Sequence, residues 1–481
     1  MDNLRLLPDL IIKTIPILSV GCFIQFAFAT SDSLPAPVLQ ETEQNIVAPD
    51  IKVSEQGPTG HQVTATGVTA LDSDNSQTKG VFTLEESINI ALRDNPGLAE
   101  MQARAEAMAA IPSQAGTLPD PMLSFNAMNL PTDTFDISQE AMTQMQVGIS
   151  QTFPFPGKLA LREEAARHEA EAAVDNVDET RLRLVRDVKS IWWRLFNLDQ
   201  NLSIVMRNQE LLRQFVQIAQ TKYSVGQGLQ QDVLLAQLEL SKLLDLELRL
   251  KGSRRNEEVR INALLGISPD NAVQLPQQID KNLPELATEQ VLYKLADQER
   301  PLLASQQDYI QAATTRVDLA KKDYYPDFNV GAMYGFSNGD NPDGSPRSDF
   351  ASLQLSMNLP LFTDRKQGKA VDQRNSEFLE QNFKLQDMRL LVQADISEAV
   401  SDFRRARDQF VLFGTGIIPQ AQQTVASMLA GYQVNKVDFL NLVQAQITLY
   451  NYEINYWQML SEANQALARI IAGVGVETVY E

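Results

Sequence analysis

The sequence predicts a mainly α-helical protein with a small β part, internally duplicated. Long antiparallel coiled-coil helices form a helical barrel, and four strands per chain enter a transmembrane β-barrel shared with other chains. Three observations predict this. First, the chain repeats itself: Thr83, Pro96 and Pro121 have counterparts 205 residues on at Thr288, Pro301 and Pro326, and Phe153-Pro154-Phe155 returns as Leu359-Pro360-Leu361. Tyr223 and Gly226, followed by Ala236-Gln237, return as Tyr432 and Asn435, followed by Ala445-Gln446; Leu265-Gly266-Ile267 returns as Ala472-Gly473-Val474. Second, four short runs alternate apolar and polar residues. Third, very long stretches carry helical periodicity. A repeat of this length means two copies of one architectural unit.

In chain order, residues 1–29 read as a signal peptide. Arg5 and Lys13 precede an apolar stretch, Ile15 to Ala29, that ends in the cleavage pattern Ala27-Phe28-Ala29. The single cysteine, Cys22, lies inside it; lipidation there is the alternative, but Ser19 stands where a lipid-attachment box carries leucine. Residues 30–80 hold seven carboxylates against two lysines with no hydrophobic periodicity, which predicts a disordered acidic extension. His61 falls there. The first structural repeat is then 81–280 and the second 281–481.

Each repeat reads as helix, two strands, very long helix, turn, return helix. The first helix runs from Leu84 to about Ala115. Leu123, Phe125 and Ala127 alternate with Ser124 and Asn126, and Met145, Val147 and Ile149 alternate with Gln144, Gln146, Gly148 and Ser150. In the second repeat Phe328, Val330, Ala332, Tyr334 and Phe336 form one such run, and Ala351, Leu353, Leu355, Met357 and Leu359 another. Polar segments, Pro131 to Ala141 and Ser337 to Asp349, join each pair as exposed loops. Lys158 to Tyr223 contains no proline and carries a seam of Leu195, Leu198, Leu202, Val205, Leu212, Val216, Ala219 and Tyr223. Such a helix is about 100 Å long. Gly226 and Gly228 stop it, and a return helix runs from Leu229 to Leu265. The opening and return helices together match the long one, so they stack end to end beside it. The second repeat is read the same way: Thr288 to Lys322, Gly368 to Tyr432, and Phe439 to Ala472.

Four strands with one apolar face cannot bury that face alone, and a closed barrel takes about eight or more. A lipid-facing side explains the alternation, and Phe153, Phe155, Tyr324, Tyr325, Phe350 and Phe362 lie at strand ends as an interfacial girdle requires. Net charge is -20 with few Lys/Arg clusters, which argues against nucleic acid as a partner.

The chain resembles the TolC family of outer-membrane efflux channels over Phe82 to Val476. The resemblance rests on Ala91-Leu92-x-x-Asn95-Pro96-x-Leu98, the Pro-flanked strand pairs, and the tip turns Tyr223-x-Val225-Gly226 and Tyr432-x-Val434-Asn435. It implies a homotrimer whose twelve strands form a barrel in the outer-membrane lipid and whose helices form a tube in the periplasm. An inner-membrane resistance-nodulation-division pump and a periplasmic adaptor, or membrane fusion protein, dock at the helix tips. The strand-to-helix junctions lie at Pro154, Pro156 and Gly157 and, in the second repeat, at Pro360; the first, Thr152 to Lys158, resembles that of the branch paired with heavy-metal pumps. The reading is therefore a passive exit duct, not an enzyme and without a cofactor. Its alternatives are a drug-efflux or type I secretion duct and a periplasmic coiled-coil tether with no pore.

No catalytic constellation is present. His168, on a helix among Glu163, Glu164, Glu169 and Glu171, reads as a solvated position. Met122, Met128, Met142 and Met145 read as apolar filling rather than as soft-metal ligands, and Trp192-Trp193 as packing between helices. The candidate gate lies at the tips, where a carboxylate would repeat once per protomer as a cation-attracting ring. The family pattern places two acids nine and twelve residues after the second tip tyrosine. Here those places hold Asn441 and Gln444, both neutral, which leaves Asp232 and Asp438 as alternatives, with helix capping an equal reading of each. Arg404, Arg405 and Arg407 are candidates for salt links between helices.

Overall fold

The computed structural model describes residues 81–476 and 479–480; the signal-peptide and extension readings, with Cys22 and His61, lie outside the described residues. The elements in order are α1 (Leu84–Asp94), α2 (Pro96–Ala109), α3 (Ile111–Gly116), β1 (Met122–Met128), β2 (Gln144–Phe153), α4 (Lys158–Ser224) and α5 (Gln230–Leu264). Then follow α6 (Glu289–Glu299), α7 (Pro301–Lys322), β3 (Phe328–Phe336), β4 (Phe350–Met357), α8 (Gln367–Leu412), a π-helical turn (Phe413–Ile417), α9 (Ile418–Gln433) and α10 (Phe439–Val474). Among the described residues, no helix is long and apolar enough to cross a membrane.

The helices form one layer. The first short helices and α5 lie along α4, α4 packs on α7 and α10, and these pack on α8. Because α4 has neighbours on both sides, it buries more than a single seam. Leu195, Val205, Leu212 and Ala219 are buried, but so are Trp192, Phe196, Ile204 and Phe215, whereas Leu198, Leu202 and Val216 are only half-buried and Tyr223 is exposed. Trp192 donates its indole N–H to the Phe82 carbonyl (3.0 Å) and stacks on Phe196. Gln446 donates to Asn208 (2.7 Å) inside the α4–α10 contact, a buried polar link of the kind that fixes register.

The opening helices are broken where continuous ones are expected. Asn95 and Arg300 hold extended backbone, and Pro96 and Pro301, which lack an N–H, begin α2 and α7. The breaks sit where the returning helix ends. Asn95 caps Leu98 and donates to the Leu264 carbonyl (2.9 Å), and Gly266, at φ +69°, lies so near Asp94 that a Cβ would meet its carbonyl oxygen at 2.4 Å. In the second half Gly475, at φ +92°, abuts Glu299 and Arg300 in the same way. Gly475 therefore does what Gly266 does; Gly473, its counterpart by sequence, lies inside α10 against Ile396.

The four strands form one antiparallel sheet in the order β1-β2-β3-β4, leaving β1 and β4 as edges unpaired among the described residues. Its register aligns Phe125, Val147, Tyr334 and Ala351 across one face, with Leu123, Ile149, Ala332 and Leu353 beside them. That face is the exposed one: Phe125 is 72% and Leu353 91% accessible. The other face carries Ser124, Gly148, Gly331, Gly335 and Ser352, and there Gln146, Gly148, Gly331 and Gly335 are buried. A Cβ on Gly148 would meet Met333 at 2.6 Å. The sheet is thus crowded on its small, polar side and open on its apolar side. Arg347 ties the two connecting loops together, donating to the carbonyls of Ser138, Glu140 and Asn338.

Candidate functional site

The two helical hairpin tips are built alike. Tyr223 to Gly226 and Tyr432 to Asn435 close with matching backbone bonds, Gly226 N–H to Tyr223 O (3.0 Å) and Asn435 N–H to Tyr432 O (3.2 Å). Each turn needs a left-handed residue: Gly226 has φ +72° and Asn435 φ +58°, asparagine being a side chain that tolerates this region. Each also brings residues six apart into contact, so one must lack a Cβ. The first tip solves this with Lys222 against Gly228, where an added Cβ would lie 2.9 Å from that of Lys222. The second solves it in reverse, with Gly431 against Val437.

That exchange leaves a lysine on one tip only, and it reaches the other. Lys222 Nζ donates to the Tyr432 carbonyl (2.7 Å) and to Asn435 Oδ1 (2.6 Å), and lies 4.2 Å from the centre of the Tyr432 ring. Tyr432 packs on Phe439, which meets Phe215 of α4, and is 5% exposed, whereas Tyr223 is 50% exposed. The Tyr432 hydroxyl is buried without a partner among the described residues. The asymmetry follows from one substitution: the place of Phe439 at the start of α10 is taken in α5 by Gln230, so no aromatic shelf receives Tyr223.

Asp232 and Asp438 are brought together. Partial burial raises the Asp232 carboxyl above its ordinary range; a hydrogen bond from the Leu229 amide opposes this, the nearby Asp438 adds to it, and Lys222 offsets part of it. Asp232 also donates its own N–H to the Leu229 carbonyl (3.1 Å), closing the first turn of α5. Asp438 occupies the N-cap position of α10 but its side chain makes no capping bond and is exposed. Asn441 and Gln444 line a groove between α9 and α10 with Gln420, Thr424, Thr448 and Tyr452, neutral throughout.

At the other end of the helices the junction is a buried charge lock. Gly157 turns the chain at φ +91°, and Lys158, 2% exposed, pairs with Asp323 (3.1 Å) and Asp327 (2.9 Å). Burial pushes the Asp327 carboxyl up, but the Phe155 amide (2.7 Å) and Lys158 outweigh it and hold it below the ordinary carboxylate range. Pro154 and Pro156 flank Phe155, which stacks on Tyr325. Among the described residues Pro360 has no such lock beside it; a loop from Asn358 to Lys366 leads into α8. Sequence reasoning missed Lys222, Lys158 and Asp327, since each acts on residues more than 150 positions away.

The remaining candidates fall elsewhere. Met122, Met128, Met142 and Met145 are exposed rather than filling a core. Met122 and Met128 share the sheet face of Ser124 and Asn126, and only Met145 lies on the apolar face. Trp192 and Trp193 are buried between helices. Arg404 pairs with Glu289 of α6 (3.2 Å) and Arg405 with Glu462 of α10 (3.1 Å), while Arg407 pairs with its neighbour Asp408. His168 lies beside Glu171 and Asp308.

Comparison with known proteins places this geometry. The outer membrane efflux protein family matches residues 87–267 and 292–476. The cobalt-zinc-cadmium resistance protein CzcC of Cupriavidus metallidurans is 22% identical over 398 residues, 81% of this chain and 89% of that protein. Among solved structures, the outer membrane protein VceC from Vibrio cholerae aligns with a TM-score of 0.69 at 19% identity, over 82% of this chain and 96% of that one. CusC aligns at 0.69 with 15% identity over 82% and 92% of the two chains, and the outer-membrane channel OprN at 0.69 with 17% over 87% and 98%. The chain belongs to the outer membrane efflux protein family, whose members are passive channels rather than enzymes.

Proposed function

We propose that three copies of this chain form the outer-membrane exit duct of a tripartite efflux system that carries heavy-metal cations. The observation that supports it most is the sheet, apolar and open on one side, crowded with glycine and polar groups on the other, and unpaired at both edges. Three such sheets joined edge to edge make twelve strands, enough to close a barrel with its apolar side to lipid. The helical layer continues beneath as a tube of about 100 Å, each chain supplying two near-equivalent repeats. The tips would be where a periplasmic adaptor and an inner-membrane pump engage, and the Lys222 link would hold them closed. The metal cargo rests on the likeness to CzcC and on the Pro154 to Lys158 junction.

The test has two parts. The purified protein should migrate as a heat-modifiable trimer and give single-channel conductance in planar bilayers; a monomer without conductance would favour a tether and sink the duct. A deletion strain should then become sensitive to divalent transition metals. Sensitivity to drugs alone, with metal tolerance unchanged, would keep the duct and discard the cargo.

A further inference from the structure

We propose that His168, Glu171 and Asp308 form a binding site for a divalent transition-metal cation of the zinc or cobalt class. His168 and Glu171 are one turn apart on α4, so they share a face. Asp308 comes from α7, which packs along α4. One ligand atom from each, an imidazole nitrogen and two carboxylate oxygens, lies within 4.8 Å of the others. His168 is already oriented, its Nδ1 3.0 Å from Glu171 Oε2.

The donor set selects the ion. One imidazole with two carboxylates suits borderline first-row dications, whereas magnesium and calcium favour oxygen alone and copper(I) favours sulfur. Ligand bonds of about 2.0–2.2 Å set tetrahedral donors about 3.4 Å apart, so the His168–Glu171 pair at 3.0 Å opens slightly and any wider pair closes. Glu171 is exposed and can swing to do this.

The surrounding charge is also incomplete. Asp175 stands one turn beyond Glu171 on α4, a further carboxylate close to the three donors. Arg167 lies 3.8 Å from Glu171, and Arg181 is engaged by Asp178. A dication held by the histidine and two of these acids supplies the missing positive charge. The site is independent of what the duct carries.

The experiment uses the full-length protein, stripped with chelator and titrated with Co²⁺ by visible absorption and with Zn²⁺ by calorimetry. We expect one site per chain. His168→Ala and Asp308→Asn should each weaken it by at least about tenfold, while Asp372→Asn, in an exposed pair with Lys369 far along the sequence, leaves it unchanged. Zn²⁺ should raise the unfolding temperature of the wild type and not of Asp308→Asn. Without metal that variant should be at least as stable as the wild type, because one of several crowded acids is gone. No Co²⁺ bands in the wild type, or bands that survive His168→Ala and Asp308→Asn, would overturn the site. Neither result bears on conductance, so the duct reading is judged separately.

Discussion

The two long helices have the same reach and different construction. α4 is one unbroken helix of 67 residues, anchored at its start by Gly157 and the buried Lys158 and still burying Leu212, Phe215 and Ala219 near the tip. Its counterpart is divided into α8, a π-helical turn at Phe413–Ile417, and α9. Pro419 explains the division: it has no N–H to donate and its ring crowds the carbonyl four residues earlier, so the hydrogen-bond ladder loosens by one residue. Gly414 lets the Tyr456 ring approach, since a Cβ there would lie 3.0 Å from it. Beyond the turn, α9 buries only Tyr432. One half is a strut and the other a jointed arm, held to the strut by Lys222.

The largest effect should come from the strut. Lys158→Met leaves Asp323 and Asp327 facing each other without their cation and should destabilise the protein by about 2–3 kcal/mol, read as a lowered thermal midpoint. The sign with pH is fixed by the depressed Asp327 carboxyl. Its contribution is present above the ordinary carboxylate range and is lost as pH falls through the lowered value, so the variant, which keeps the Phe155 amide but not Lys158, should show a smaller acid-side loss. An unchanged midpoint would mean that the two halves are anchored equally.

Next is the link between strut and arm. Lys222→Met removes two charge-assisted hydrogen bonds, each worth about 1.5–3 kcal/mol, and should raise the open probability in bilayers about tenfold or more with little change in thermal midpoint. Wild-type gating in this variant would show that the tips are held by something else. A smaller change is expected from Pro419→Ala, which restores an N–H to the arm. Hydrogen exchange around residues 410–420 should slow and opening should become rarer by a few-fold, whereas a loss of stability would mean that the π-helical turn is packed rather than poised. Smallest is Asp232→Asn with Asp438→Asn. It should weaken block by multivalent cations, and unchanged block would remove the pair as a ring.

Much of this was legible in the sequence. Strand alternation specified the faces of the sheet because period two leaves no freedom once one face is apolar, and Tyr223 and Tyr432 lie at the ends of their helices, beside the turns. The breaks at Asn95 and Arg300 were written in the following prolines but masked by apolar spacing that continues through them. Pro419 was masked in the same way inside the span from Gly368 to Tyr432. The unequal burial of the two tyrosines depends on Phe439 against Gln230, a difference visible only once the tip is assembled. Lys222 and Asp308 carry no local signal, since their partners are set by which helices lie side by side.

The open edges of β1 and β4 have a consequence for how the protein is made. Under the proposed assembly the last step of folding is not unimolecular, because the sheet is completed only when chains meet. Yield should therefore depend on the rate of encounter relative to off-pathway strand pairing through the same edges. Dilution, slower export and a longer wait before membrane entry would all act on that race, and none would change the stability of a finished channel.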